Sequence, residues 1–266
     1  RSLGNLYFSS ESKGISMQKV ALIARQRSGT GFLSTVVNQH PEIYFYPEVF
    51  LGRDYERIYS FYRYYKSIVD RDHKFLAFRE RPKVIEAYLD YIYTQDAYQN
   101  LLREHQEIPQ KELEVVGLDI KYTDFKDEGS IMSLLKQRGI KVVHLVRKNV
   151  LKLYVSECFN NLKKELSRKA HMDYTPEQVK IRMPHGPELM NMLGRIEADI
   201  NDFRRRIRQN FDCLEVYYEE LVDRSDFSNT GIKAEELDRI YDFMGIQTRK
   251  YDLETGLRKT NSDDLS

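Results

Sequence analysis

Lys19-Val20-Ala21-Leu22-Ile23-Ala24-Arg25-Gln26-Arg27-Ser28-Gly29-Thr30-Gly31-Phe32-Leu33-Ser34-Thr35-Val36-Val37 decides the fold. Val20 to Ala24 is a short, continuous apolar run, the pattern of a parallel strand buried on both faces. Small residues follow at 28–31, and Phe32 onward reads as a helix. His40-Pro41 ends that helix, because the residue before a proline is pushed out of helical geometry. Strand, small-residue loop and helix together open a βαβ unit.

The same alternation runs along the chain. Ile43 to Tyr46 reads as a short strand leading into Pro47-Glu48-Val49-Phe50. Residues 52–112 are tyrosine-rich and read as helical, with Val84, Tyr88, Tyr91, Ile92 and Leu101 near helical spacing. Val115 to Tyr122 and Lys141 to Arg147 read as core strands, with a short helix from Ile131 to Arg138 between them. A helix from Val150 to Leu166 follows. From Pro187 to Asn210, Leu189, Leu193, Ile196, Ile200, Phe203 and Ile207 recur three and four apart, which predicts an amphipathic helix with one buried seam. Cys213 to Tyr218 is the last strand, and a helix from Glu235 to Met244 ends at Gly245. The prediction is α/β: a single domain over residues 17–266, with a parallel central sheet flanked by helices. Residues 1–16, polar and rich in Ser and Gly, read as a linker or tag-like disordered segment. Parallel sheets bind ligands at the carboxyl ends of their strands, so those ends are where chemistry is expected.

Bulk composition narrows the function without naming it. The 266 residues are 41% apolar and 31% charged, the balance of an ordinary globular domain. The formal net charge of +1 gives no bulk attraction to nucleic acid or an anionic membrane, so any anion site is local. No apolar stretch approaches the ~20 residues of a membrane span. Cys158 and Cys213 are too few for a disulfide framework and form no metal-like pair. Two buried thiols in a reducing, cytoplasmic setting are expected, with a single bridge between them as the other possibility.

The loop at 27–31 has the makings of a site for a tetrahedral anion. Small residues let the backbone approach a ligand, the following helix begins with unpaired amides, Thr30 adds a hydroxyl and Arg27 a full charge. A tight turn that binds nothing would have the same composition. A nucleoside triphosphate loop needs G-x-x-x-x-G-K-[ST], and no Lys follows Gly29 or Gly31. A sulfuryl group carries less charge in transfer than a phosphoryl group, and Arg with amide donors can serve it without a divalent ion.

Arg27-Ser28-Gly29-Thr30 after a first strand resembles the 5′-phosphosulfate loop of the sulfotransferase family. Leu145-Val146-Arg147-Lys148-Asn149-Val150, with Tyr154-Val155-Ser156 beyond, resembles that family's 3′-phosphate motif, although the Arg147 to Ser156 spacing is one residue longer than usual. His40-Pro41-Glu42-Ile43 and Pro47-Glu48-Val49-Phe50 are similar to the segment after the first helix in the protein-tyrosine and trehalose sulfotransferase branches. Val216-Tyr217-Tyr218-Glu219-Glu220-Leu221-Val222 resembles the family's last strand, and Leu257-Arg258-Lys259-Thr260-Asn261 its basic loop over the nucleotide. These motifs are short, with long unmatched stretches between them.

The resemblance implies a P-loop-like fold and a 3′-phosphoadenylyl sulfate (PAPS) donor, with adenosine 3′,5′-bisphosphate as product and no metal. It implies Arg27, Ser28, Gly29, Thr30 and Gly31 at the 5′-phosphosulfate, and Arg147 and Ser156 at the 3′-phosphate. Tyr218, Arg258 and Lys259 complete the nucleotide site. Glu48 stands where those branches have their proposed base, a role that calls for a partly buried carboxylate. Lys121 points to the same edge. The acceptor is a hydroxyl on a sugar, lipid, small alcohol or tyrosine peptide, and no nucleic-acid partner is implied. A P-loop-type small-molecule kinase and a non-catalytic nucleotide-binding scaffold are the competing possibilities. His144 reads as a core histidine and His40 as a turn residue. Arg204, Arg205, Arg206 and Arg208 lie at a helix C-terminus, where a solvated cationic face is favoured over a polyanion site.

Overall fold

The computed structural model describes residues 17–51, 57–72, 81–106, 108–169, 183–222 and 231–246. The segment 1–16, together with Arg258 and Lys259, lies outside the described residues. Strands β1 (Gln18–Ala24), β2 (Ile43–Tyr46), β3 (Val115–Lys121), β4 (Lys141–Val146) and β5 (Cys213–Tyr217) make one five-stranded sheet in the order β2-β3-β1-β4-β5. Every pairing in it is parallel. The helices are α1 (Thr30–Val37), α2 (Phe61–Asp72), α3 (Arg81–Ile92), α4 (Gln95–Glu104), α5 (Tyr122–Asp127), α6 (Ile131–Gln137), α7 (Val150–Lys169), α8 (Gly186–Asn210), α9 (Tyr218–Leu221) and α10 (Ala234–Met244).

The apolar runs are continuous because the sheet is covered on both faces. In β1, Ala21 and Ile23 enter a core shared with α3, α4 and α8, while Val20, Leu22 and Ala24 enter a second core with α1 and α10. All five are fully buried, and such side chains contribute roughly 1.5–3 kcal/mol each for the larger aliphatics. Gly117 in β3 leaves room for the Phe45 ring of β2, since a Cβ there would stand 2.3 Å from it.

The expected α/β architecture is observed, with three local differences. Residues 52–112 are not one helical stretch. Its described part holds α2, α3 and α4, and the described residues 105–106 and 108–114 carry no helix. Tyr59, Tyr62, Tyr64 and Tyr65 pack half-buried against the core, so they form part of the helical layer over the sheet. In α8 the seam is buried at Ile196, Ile200, Phe203 and Ile207, whereas Leu189 and Leu193 are only half-buried. Cys158 and Cys213 are free and half-buried rather than buried. Among the described residues, no helix is long and apolar enough to cross a membrane.

Candidate functional site

Strand order creates the site. The connection leaving β1 leads toward β2 on one side, and the connection leaving β4 leads toward β5 on the other. Between two adjacent strands whose connections diverge, no crossover covers the carboxyl ends and a crevice opens. The loop 25–29 after β1 and Arg147 after β4 both border this crevice.

The first loop is held in an unusual backbone geometry. Gly29 is the N-cap of α1 at φ 96°, and Arg27 sits at φ 68°. A Cβ on Gly29 would lie 2.4 Å from the Tyr218 ring, so glycine is required both for its φ and for the aromatic packed on it. The N-terminus of α1 has no side-chain cap and no acidic residue in its first turn. No carboxylate of the helix itself therefore offsets its first amides and dipole. Ser28 and Thr30 are buried, while Arg27 is exposed.

The structure brings Arg27, Arg147 and Ser156 together. The Arg27 Nε donates to Ser156 Oγ at 3.0 Å, and an Arg147 NH donates to the Arg27 carbonyl at 3.1 Å. The longer spacing from Arg147 to Ser156 still turns the serine back to the loop. Arg147 also stands 5.0 Å above the Tyr218 ring, a cation–π arrangement. Among the described residues its Nε is buried without a hydrogen-bond partner, an unspent donor in a site lined with donors. Arg25 clamps the surroundings, pairing with Glu157 of α7 at 3.1 Å and Asp199 of α8 at 2.7 Å. Glu219 accepts from the amides of Lys148 and Asn149, both at 2.9 Å, and so fixes the start of α7.

A second cluster lies at the ends of β2 and β3. Lys121, 5% exposed, donates to Asp119 Oδ1 at 2.8 Å and Oδ2 at 2.7 Å, and also to the Thr30 hydroxyl. The Thr30 hydroxyl is thus engaged with Lys121 inside the site. Glu48 Oε1 is 3.8 Å from the same ammonium, and its side chain is 39% exposed. Glu48 sits at φ 45°, and with Arg27 it is one of two non-glycine residues of positive φ among those described. The Val49 amide donates to the Asp119 carbonyl at 3.3 Å, pinning this turn to β3. Burial pushes the Asp119 carboxyl up, opposed by Lys121. Burial also lifts Asp124, whose carboxylate accepts from the Lys121 amide at 2.7 Å, to about 7.

Asp119 was not singled out from the sequence. The signal was present: an Asp and a Lys two apart on one face of an otherwise apolar strand, where charge is rarely buried unless paired. His144 is a core residue, its Nε2 2.5 Å from the Tyr122 hydroxyl and its Nδ1 3.4 Å from Glu215. Burial depresses its pKa. His40 is in a turn and buried, accepting from the Glu42 amide at 3.2 Å. Arg204, Arg205 and Arg208 pair with Glu215 or Asp202, consistent with a self-compensated surface.

No family model matches the chain, and no curated protein sequence does. Among solved structures it is similar to a sulfotransferase from Alicyclobacillus acidocaldarius, with 15% identity, 92% of this chain and 87% of that one covered, and a TM-score of 0.44. The sulfotransferase domain of the Synechococcus PCC 7002 olefin synthase matches at 19% identity over 91% of this chain and 78% of its own, TM-score 0.40. Mouse sulfotransferase SULT7A1 complexed with PAP matches at 15% identity over 87% and 59%, also with a TM-score of 0.40. With likenesses of that strength, the functional argument rests on the site itself.

Proposed function

We propose that this chain is a sulfotransferase that moves a sulfuryl group from PAPS to an acceptor hydroxyl. The observation that carries the proposal is the meeting of Arg27, Arg147 and Ser156 at the β1/β4 crevice, two guanidinium groups and a hydroxyl gathered from three separate segments. The residues present fit such a donor. Gly29 opens the backbone, α1 offers the amides of its first turn, and, among the described residues, the Arg147 Nε is a buried donor with a bond still to make. When bound, the donor supplies a sulfuryl group on its 5′-phosphate.

Arg147 and Ser156 hold the 3′-phosphate, and the amides of residues 28–31 with Arg27 hold the 5′-phosphate. Tyr218 supports both from beneath, touching Gly29 on one side and Arg147 on the other. Arg258 and Lys259, outside the described residues, are the remaining residues we assign to the nucleotide. Glu48 takes the proton of the acceptor hydroxyl as its oxygen bonds to sulfur; the bond from sulfur to the 5′-phosphate breaks, and its electron pair leaves with the bisphosphate. Lys121 and Arg27 flank this exchange and balance the charge that develops on the leaving phosphate. Sugars, lipids, small alcohols and tyrosine peptides all carry the required hydroxyl.

Calorimetry with adenosine 3′,5′-bisphosphate, without metal, tests the proposal. The wild type should bind it and prefer it to adenosine 5′-monophosphate. Arg147→Ala should weaken binding by about 2 kcal/mol, the scale of a charge-assisted contact. Equal affinity for the two nucleotides, or an unchanged Kd in the variant, removes the 3′-phosphate assignment.

A further inference from the structure

We propose that Asp119 is a positioning residue for sulfuryl transfer, holding the Lys121 ammonium between Thr30 of the anion loop and Glu48. This rests on the sulfotransferase proposal and extends it to a residue that touches none of the reacting atoms.

The argument begins with burial. Asp119 is 1% exposed and Lys121 5%, so both charges are withdrawn from water. A buried ion pair is seldom worth more to stability than two apolar side chains of the same volume. The pair at the end of β3 therefore calls for a reason other than the fold. Lys121 by itself is a compact charge on a flexible stem, free to swing to whichever anion is nearest. Asp119 removes that freedom, because its two oxygens take Lys121 donors at 2.8 and 2.7 Å. A further donor goes to Thr30.

What this prevents is as important as what it fixes. Glu48 lies 3.8 Å from the ammonium, within the field of its charge but beyond a full hydrogen bond. Released from Asp119, Lys121 would close on Glu48 and occupy the lone pairs that must receive the acceptor's proton. The same residue also steadies Glu48 through the backbone, since the Asp119 carbonyl accepts from the Val49 amide. One side chain and its own carbonyl thus tie three strand ends together: Thr30 after β1, the Glu48 turn after β2, and Lys121 at the end of β3.

Asp119→Asn keeps the shape and removes the charge. We expect kcat for sulfate transfer to fall about 10²-fold, the effect of a misplacement near 1 Å. Donor KM and calorimetric bisphosphate affinity should stay at wild-type values. Wild-type kcat, or a loss of kcat matched by an equal loss of bisphosphate affinity, overturns the proposal. Since Asn leaves a buried lysine unpaired and puts folding at risk, the comparison is repeated in a Lys121→Met background. There Asp119→Asn should change kcat by less than about twofold, because the amide oxygen can still accept from the Thr30 hydroxyl and the lost charge has no Lys121 ammonium left to hold. A second 10²-fold loss in that background would show that Asp119 works independently of Lys121 and would end the proposal. A wild type that neither binds bisphosphate nor transfers sulfate refutes the sulfotransferase assignment instead, so the two failures are distinguishable.

Discussion

Glu48 and Arg27 hold backbone conformations that side-chain-bearing residues seldom adopt, at a cost of roughly 1–3 kcal/mol each. Strain of this kind survives only where surrounding contacts impose it. At Glu48 those contacts are the Val49 amide on Asp119, the Phe61 amide on the Val49 carbonyl at 2.9 Å, and the Leu51 amide on Glu48 itself at 3.0 Å. Arg27 and Glu48 also stand out in the sequence through their motif context, so backbone and sequence point to the same two residues by separate routes. Glu48→Gln should leave bisphosphate binding intact and lower kcat by about 10²–10⁴-fold, the range for loss of a general base. It should change stability by less than about 1 kcal/mol, since the carboxylate is part-exposed and its Lys121 contact is long. Single-turnover kinetics beside a thermal melt measures both; wild-type turnover would move the base elsewhere.

At the scale of elements, β1, β3 and β4 could be read directly from the sequence because burial on both faces writes itself as a largely apolar run, interrupted only by Asp119 in β3 and His144 in β4. The α1 helix was legible as well, although it begins at Thr30, two residues before the expected Phe32. What no local pattern conveys is that Tyr218, nearly two hundred residues later, lies against Gly29. That contact predicts the outcome of Gly29→Ala. The added methyl group would enter the Tyr218 ring while forcing alanine to φ 96°, and the ring cannot retreat freely because Arg147 lies over it. Overpacking and backbone strain together should destabilise the fold by about 2–4 kcal/mol. Bisphosphate affinity should fall as well, since Tyr218 carries Arg147 with it. Adding Tyr218→Ala should recover the overpacking part of the stability and leave the strain. A melting temperature within a degree of wild type for Gly29→Ala would mean that the ring is not seated there.

At the scale of the whole molecule, strand order was the illegible part, because crossovers rather than local residue patterns decide which strands become neighbours. The order β2-β3-β1-β4-β5 is what brings Arg27 to Arg147, and Glu48 to Lys121. The edge on the β5 side has its own fastening. Glu215 on β5 accepts from Arg204 at 2.9 Å, Arg208 at 3.3 Å and the Tyr217 hydroxyl at 2.5 Å, and it faces His144 of β4 at 3.4 Å. Burial pushes this carboxyl up, but the bonds from His144, Tyr217 and Arg204 outweigh it and bring it from 4.5 down to about 2. A carboxyl with a depressed pKa binds fewer protons in the native state than in the unfolded chain. Its stabilisation is therefore complete above about pH 4.5 and is lost as pH falls toward about 2. Asp124 has the opposite sign. Raised to about 7, its contribution is complete below the unfolded value of 3.8 and is lost as pH rises through 7. Asp124 therefore works against the Glu215 loss in the upper part of the acid window, and only the segment below about pH 3.8 reports on the β4–β5–α8 junction without it. We expect the wild-type melting temperature to drop steadily between pH 4.5 and 2. Glu215→Gln should be less stable at neutral pH by about 2 kcal/mol, allowing for solvent screening at an edge strand. Its profile should be flatter across the acid window, because the group that titrates there is gone. Parallel profiles for the two proteins would show that other carboxylates govern acid unfolding and that the Glu215 hub does not lock the edge of the sheet.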